Sequence, residues 1–379
     1  MQRRTFLLGS ALAATPAWVQ GATPQPLFNG KDLSGWHIVN GPESAFYVED
    51  GAICASPSSI WPAWLSTDRS FENFDLSLEF FVSGWCDGGV YFASPKHGTP
   101  SFCGYKVNIF QQMDEHPHEN SMGAIFPVVA PSKVNVKSKR EWNTMRVRFD
   151  WPSLEVWVNG EQIHKLDVRQ NPELAHRLRQ GTIGLEALGY PLKFRNLRIE
   201  ELPSTDKWTV LYNQPSDIEK YWMITDNHER APVRFVGYGP VLWCDGSGNL
   251  GTKEMFSDFE LQLYIRGPQH HNSGVIFRSN GESTAVAGKY EIQVHNVPES
   301  HYPTGSLYHY KRARYPQIQD EKWYLMQLSA KGSECWVRVN GETVMEYHDL
   351  KNLKPGRIEL QAHQPGKWVE FMDVRVKPA

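Results

Sequence analysis

Helical periodicity is nearly absent from this chain of 379 residues, and so are the signals of several function classes. Its five cysteines, Cys54, Cys86, Cys103, Cys244 and Cys335, show no CxxC spacing, which argues against a zinc knuckle or a disulfide framework. Cys86 and Cys103 could bridge neighbouring strands in an oxidising compartment, but buried free thiols are the expectation. Lysine plus arginine number 39 against 42 for aspartate plus glutamate, so no excess of one sign draws the chain to nucleic acid or an anionic membrane. A small or neutral partner follows. The N-terminal apolar stretch, Gly9 to Val19, is too short to span a bilayer. Only Asn171 to Arg179, with a cap-like Asn followed by Pro, reads as a helix.

What is present begins with an export signal. Residues 1–8 read MQRRTFLL and resemble a twin-arginine signal, with small residues at Gly21 and Ala22 for cleavage. No cysteine there could carry a lipid. Residues 1–22 are therefore expected to be a signal peptide, and the mature protein to be periplasmic or secreted without a membrane anchor. Aromatics reach 12%, with 14 Trp, and such rings suit both sandwich cores and sugar faces.

The chain is also duplicated. FENFDLSL from Phe71 matches FSDFELQL from Phe256, and GYKVNIF from Gly104 matches KYEIQVH from Lys289, both at an offset of 185 residues. Trp142 and Asn159-Gly160 match Trp323 and Asn340-Gly341 at 181, and TIGLEAL from Thr182 matches RIELQAH from Arg357 at 175. Loop-length changes explain the drift. Repeats of this length mean tandem domains, because solenoid units are far shorter. Within each copy the pattern has period two: LEVWVNGE from Leu154 and CWVRVNGE from Cys335 alternate up to an Asn-Gly hairpin. The expected fold is all-β, two sandwiches or jelly rolls at 23–202 and 207–379, joined by the polar, Pro-bearing linker Glu201 to Asp206.

LFNGKDLSGW from Leu27 resembles the opening motif of the 3-keto-disaccharide hydrolase domain family. In the second copy the resemblance extends through GTK at Gly251, DFEL at Asp258, NSGVIFR at Asn272, YEIQ at Tyr290, GSLY at Gly305 and LQAH at Leu360. It implies a concanavalin A-like jelly roll acting on glycosides already oxidised at C3, which are cleaved by elimination and rehydration with a divalent metal. The residues can be read beside it. Strand alternation puts Glu291, Gln293 and His295 on one face, with Tyr290, Ile292 and Val294 in the core. Asn272, Gly274, Ile276 and Arg278 likewise share a face, as do Glu359, Gln361 and His363. Glu291, His295 and His363 are candidate ligands for a divalent metal ion. Glu291 or a histidine is the candidate base, Arg278 and Tyr308 would orient the sugar or protonate the leaving oxygen, and Asn272, Gln293 and Gln361 would bind substrate. His295 departs from the family, which usually has Asp there.

Copy one departs at every such position. Lys106 stands for Glu291, Asn108 for Gln293, Phe110 for His295, Ala93 for Arg278 and Leu188 for His363. It is expected to keep the core face and lose the polar one, serving to bind sugar or to shape the mouth of the second copy's cleft. The cluster DEHPHE from Asp114 is Pro-broken and reads as a solvated loop, as do the basic stretches Lys133 to Arg140 and Lys311 to Arg314. Function is thus expected to be an oligosaccharide- or glycoside-cleaving enzyme, with a lectin-like binding protein as the alternative. A retaining glycosidase ranks last, because the Glu291 strand supplies one carboxylate where a close pair is needed.

Overall fold

The structure, a computed structural model, describes residues 23–57, 62–110, 116–137, 140–204, 206–280 and 288–379. The expected signal peptide lies outside these residues, as do Asp114 and Glu115. Each copy is a two-layer antiparallel sandwich, broadly jelly-roll and lectin-like, with one eight-stranded and one five-stranded sheet. In the second domain the smaller sheet runs Trp222–Asn227, Gly248–Thr252, Arg357–Ala362, Ser273–Ser279, Tyr290–Val294 in spatial order. The first domain repeats that order with Trp36–Asn40, Ala63–Phe71, Gly181–Ala187, Asp87–Ser94 and Tyr105–Phe110.

The alternation in the sequence explains the layers. Phe74–Val82 buries every second side chain, and Phe74, Leu76, Leu78, Phe80 and Val82 join the first core. Each such side chain contributes ~1.5–3 kcal/mol on burial. Both Asn-Gly pairs form the expected tight turns, with positive φ at Asn159 (51°), Gly160 (81°), Asn340 (49°) and Gly341 (87°). The two asparagines also accept backbone N–H groups, from Thr144 and Leu325 respectively, both at 3.0 Å. All five cysteines are buried thiols, so Cys86 and Cys103 form no bridge with each other.

Asn171 to Arg179 is not a helix. One turn forms, with Ala175 N–H donating to the Asn171 carbonyl at 2.9 Å, and then the segment is pinned elsewhere. The Arg177 guanidinium donates to the carbonyls of Ser101 (2.7 Å) and Gly104 (2.9 Å), while Leu174 and Leu178 enter the core. Tertiary anchoring overrides a cap signal too short to propagate. The α-helices that do form among the described residues are the short Pro100–Cys103 and Ser216–Tyr221.

The domains meet on the outer face of the second domain's larger sheet. Lys96 N–H donates to the Tyr264 hydroxyl at 2.8 Å, and Lys96 Nζ lies 3.1 Å from Asp373. Gln327 donates to the His176 carbonyl at 3.1 Å and Arg375 to Gln180 at 2.6 Å. Tyr264, Leu325 and Met372 close against the first domain's core. These contacts use the sheet opposite the five-stranded one, so they do not place the first domain at the mouth of the second domain's polar face.

Candidate functional site

The five-stranded sheet of the second domain presents Leu250, Val275, Phe277, Tyr290, Ile292, Val294, Leu360 and Ala362 to the core. Alternation sends Asn249, Gly274, Ile276, Glu291, Gln293, Glu359 and Gln361 to the other face. Register then sets the rows. Ile276 pairs with Glu291 on one side and with Glu359 on the other, while Gly274 pairs with Gln293 and Asn249 with Gln361. Two of the three expected substrate binders meet: Gln293 Nε2 donates to Asn272 Oδ1 at 2.7 Å, and among the described residues the Asn272 amide N–H groups have no acceptor.

Glu291 is the chemically distinct member. Burial pushes its carboxyl up to about 7, and Lys289 offsets this only in part. Its side chain lies across Gly274, where an added Cβ would fall 2.5 Å from Glu291 Oε1. Among the described residues it has no ion-pair partner.

His295 donates Nδ1–H to the His271 carbonyl at 2.8 Å, an arrangement that in the neutral ring puts the lone pair on Nε2. His271 is fully buried and anchors itself by donating Nδ1–H to the Pro268 carbonyl at 2.7 Å. His363 is exposed at the open end of the face, and desolvation together with the neighbouring His295 lowers its pKa. Tyr308 is held at the edge of the Glu291 strand by its N–H donating to the Glu291 carbonyl at 2.9 Å. Its half-exposed ring packs on Tyr302 with centroids 5.2 Å apart.

Two expectations need correction or restriction. Arg278 does not reach the polar face, because a bulge with φ +52° breaks the alternation after Ile276. Its guanidinium is completely buried and donates to the carbonyls of Ser257 (2.9 Å) and Asn352 (3.0 Å) and to Asp258 (3.1 Å). It is a structural clasp. The metal ligands are the second point. Among the described residues no three His, Cys, Asp or Glu side chains come together to hold an ion, so Glu291, His295 and His363 as placed do not form a three-ligand site.

Sequence reasoning missed Asn249, Tyr302 and His271, and it placed Glu359 on a face without giving it a role. Asn249 donates Nδ2–H to Glu359 Oε2 at 3.1 Å, placing a second carboxylate on the face. Tyr302 and His271 support its rim. Alternation marks Glu359, but only strand order relates it to Glu291.

The first domain's equivalent face is not simply emptied of polarity. Lys106 Nζ crosses Gly89 to reach Glu186 Oε2 at 2.5 Å, with both side chains buried. Tyr91 donates to Glu186, Trp64 Nε1 does so at 3.4 Å, and Lys106 Nζ lies 4.6 Å from the Phe126 ring centre. The carboxylate there is held by an ion pair and by two donors.

The 3-keto-alpha-glucoside-1,2-lyase-like domain family matches residues 23–200 and again 207–377. Among solved structures, the chain is similar to a protein of Parabacteroides distasonis ATCC 8503 provisionally described as a glycosyl hydrolase. That match has 23% identity and a TM-score of 0.42, covering 48% of this chain and all of that one. A second such protein of the same organism matches at 20% identity and a TM-score of 0.42, covering 48% of this chain and 94% of that one. The carbohydrate binding module CBM66 of Bacillus subtilis matches at 15% identity and a TM-score of 0.33, covering 45% and 99%. No curated protein matches. No helix among the described residues is long and apolar enough to cross a membrane.

Proposed function

The chain belongs to the 3-keto-alpha-glucoside-1,2-lyase-like family through both of its halves, and from that premise we propose that its second domain cleaves 3-keto-glycosides by elimination and rehydration, a net hydrolysis. One observation carries the reading. Glu291 is a carboxyl held near neutrality by burial, with no ion-pair partner among the described residues, on a polar face that the first domain has closed with an ion pair.

The chemistry suits that group. A ketone at C3 acidifies the C2 proton, so the aglycone can leave from C1 once that proton is taken and the departing oxygen is protonated. Water then adds to the resulting enone. A carboxyl that is part protonated at neutral pH can give a proton in one half-reaction and take one in the next. The Asn272 amide and Gln361 would hold the sugar hydroxyls, His295 Nε2 would accept a hydroxyl proton, and the Tyr302 and Tyr308 rings would flank an apolar sugar face.

The expected divalent cation is carried forward as a proposal without a ligand set. When bound it would polarise the C3 carbonyl, and no step above runs through it. The same reading takes the sandwiches as concanavalin A-like and residues 1–22 as an export signal, which cell fractionation of the intact and Arg3→Lys/Arg4→Lys chains would test.

The deciding assay incubates a glucoside and its 3-keto form separately in deuterated water, with and without a chelator. Release of aglycone from the keto form alone, with deuterium at C2 of the product, is expected. Cleavage of the parent glucoside at a comparable rate without exchange would sink the proposal, and sugar binding without turnover would favour the lectin-like alternative.

A further inference from the structure

Glu359 is 4% exposed, yet its one side-chain hydrogen bond is from Asn249 and it has no ion pair among the described residues. A buried carboxylate without a counter-ion is costly and calls for a reason. Its setting supplies one. Glu359 and Glu291 both pair with Ile276, so they stand two strand spacings apart on one face, roughly 9.5 Å between Cα atoms. Glu291 leans across Gly274, the neighbouring position of that face on the strand that separates the two carboxyls. In the first domain the position of Glu359 is Gly184 and that of Asn249 is Trp64, so the carboxylate and its anchor are absent together.

In a 3-keto-α-glycoside in its chair form, the C1–O bond and the C2–H bond are both axial and point to opposite faces of the ring. Anti elimination therefore needs a base on one face and an acid on the other. A single group cannot serve both. We propose that Glu359 is the catalytic base that takes the C2 proton and Glu291 the catalytic acid that serves the departing oxygen, the sugar ring lying between them above Ile276. This rests on the function proposed above.

The step balances. The Glu359 carboxylate takes the proton from C2, the C–H electrons form the C1–C2 double bond, and the C1–O bond breaks with its pair on oxygen. That oxygen receives the Glu291 proton and leaves as the free alcohol. In the second half-reaction Glu291, now ionised, takes a proton from water as its oxygen bonds to C1, and Glu359, whose proton exchanges with solvent once the alcohol has left, delivers a proton to C2. Both groups end as they began, and one water is consumed.

The test compares wild type, Glu359→Gln, Glu359→Asp and Glu291→Gln on 3-keto-α-glucosides with a nitrophenyl and an alkyl aglycone in deuterated water. Without its base the enzyme should lose C2 exchange and aglycone release together, by at least ~100-fold with either aglycone, at little change in KM. Loss of the acid should cost the alkyl substrate about as much, whereas nitrophenolate, which needs no protonation to leave, should be released within ~10-fold of wild type. A folded Glu359→Gln protein within fivefold of wild type would overturn the assignment, as would rescue of Glu359→Gln by the nitrophenyl aglycone. Failure of both Glu359 variants to fold would make the residue a packing element and overturn it equally. A wild-type enzyme inert on both substrates would instead count against the proposed function.

Discussion

Lys106 Nζ and Glu186 Oε2 lie 2.5 Å apart in the first domain, at the positions where the second presents Glu291 and Gln361. The two copies thus solve one problem in opposite ways. Where the second leaves a carboxyl without a counter-ion, the first neutralises the same face internally. Removing one partner of a buried ion pair costs ~3–5 kcal/mol, whereas replacing both by apolar side chains is often close to neutral. Lys106→Met should therefore lower the stability of the chain by that amount in chemical denaturation, and Lys106→Met/Glu186→Leu should recover most of it. Additive losses would show the pair to be uncoupled.

Glu291 gives stability a pH dependence of known sign. Its folded pKa of about 7 lies above the ordinary 4.5, so the folded state binds the extra proton and stability falls as pH rises between those values. Glu291→Gln should leave stability unchanged near pH 4 and raise it by up to ~3 kcal/mol at pH 8. Denaturation midpoints at the two pH values decide it. An equal effect at both would mean that the carboxyl titrates normally.

The same proton governs rate. If Glu291 must be protonated to serve the departing oxygen, kcat/KM on an alkyl 3-keto-glucoside should fall as pH rises through about 7. The limb should vanish in the residual activity of Glu291→Gln. A limb that survives the substitution belongs to another group.

Arg278 is expected to matter for folding and not for turnover. Its loss strips donors from the carbonyls of Ser257 and Asn352, and an unsatisfied buried acceptor costs ~1–3 kcal/mol. Arg278→Ala should unfold several degrees earlier, while kcat and KM, measured well below the transition, stay within about threefold of wild type by the same argument that it lies off the face. A selective collapse of kcat in folded protein would return Arg278 to the site.

Residues 207–379 expressed alone should self-associate. Tyr264, Leu325 and Met372, buried against the first domain in the full chain, would become an exposed apolar patch. Sedimentation should show a monomer only when these three are replaced by polar residues. A monomeric, unmodified second domain would show the docking to be incidental.

Much of the architecture was legible because period two is a local property. Phe74–Val82 and the hairpins at Asn159 and Asn340 need only their own neighbours, and the polar set Glu291, Gln293 and His295 follows from the same count. What was not legible depends on relations across the sheet. Nothing in the local sequence marks Arg278 as left-handed, and its counterpart Ala93 shares the conformation with φ +48°. The available signal was remote: Gly356, where a Cβ would fall 2.2 Å from the Arg278 carbonyl carbon, is a glycine because the bulge presses on it. The pairing of Lys106 with Glu186, and the flanking of Ile276 by two carboxylates, likewise exist only once strand order is known.

Gly89 and Gly274 each lie beneath a side chain that reaches over them from the adjacent strand, Lys106 in one domain and Glu291 in the other. Each therefore acts as a channel cut through the sheet surface, letting a group rooted on the edge strand act at the middle of the face. Any library that diversifies the second domain's face for new substrates should hold position 274 fixed. Even a methyl group there would block the passage and strand Glu291 at the margin, and selections at that codon would report on the route of a carboxyl and not on the sugar it meets.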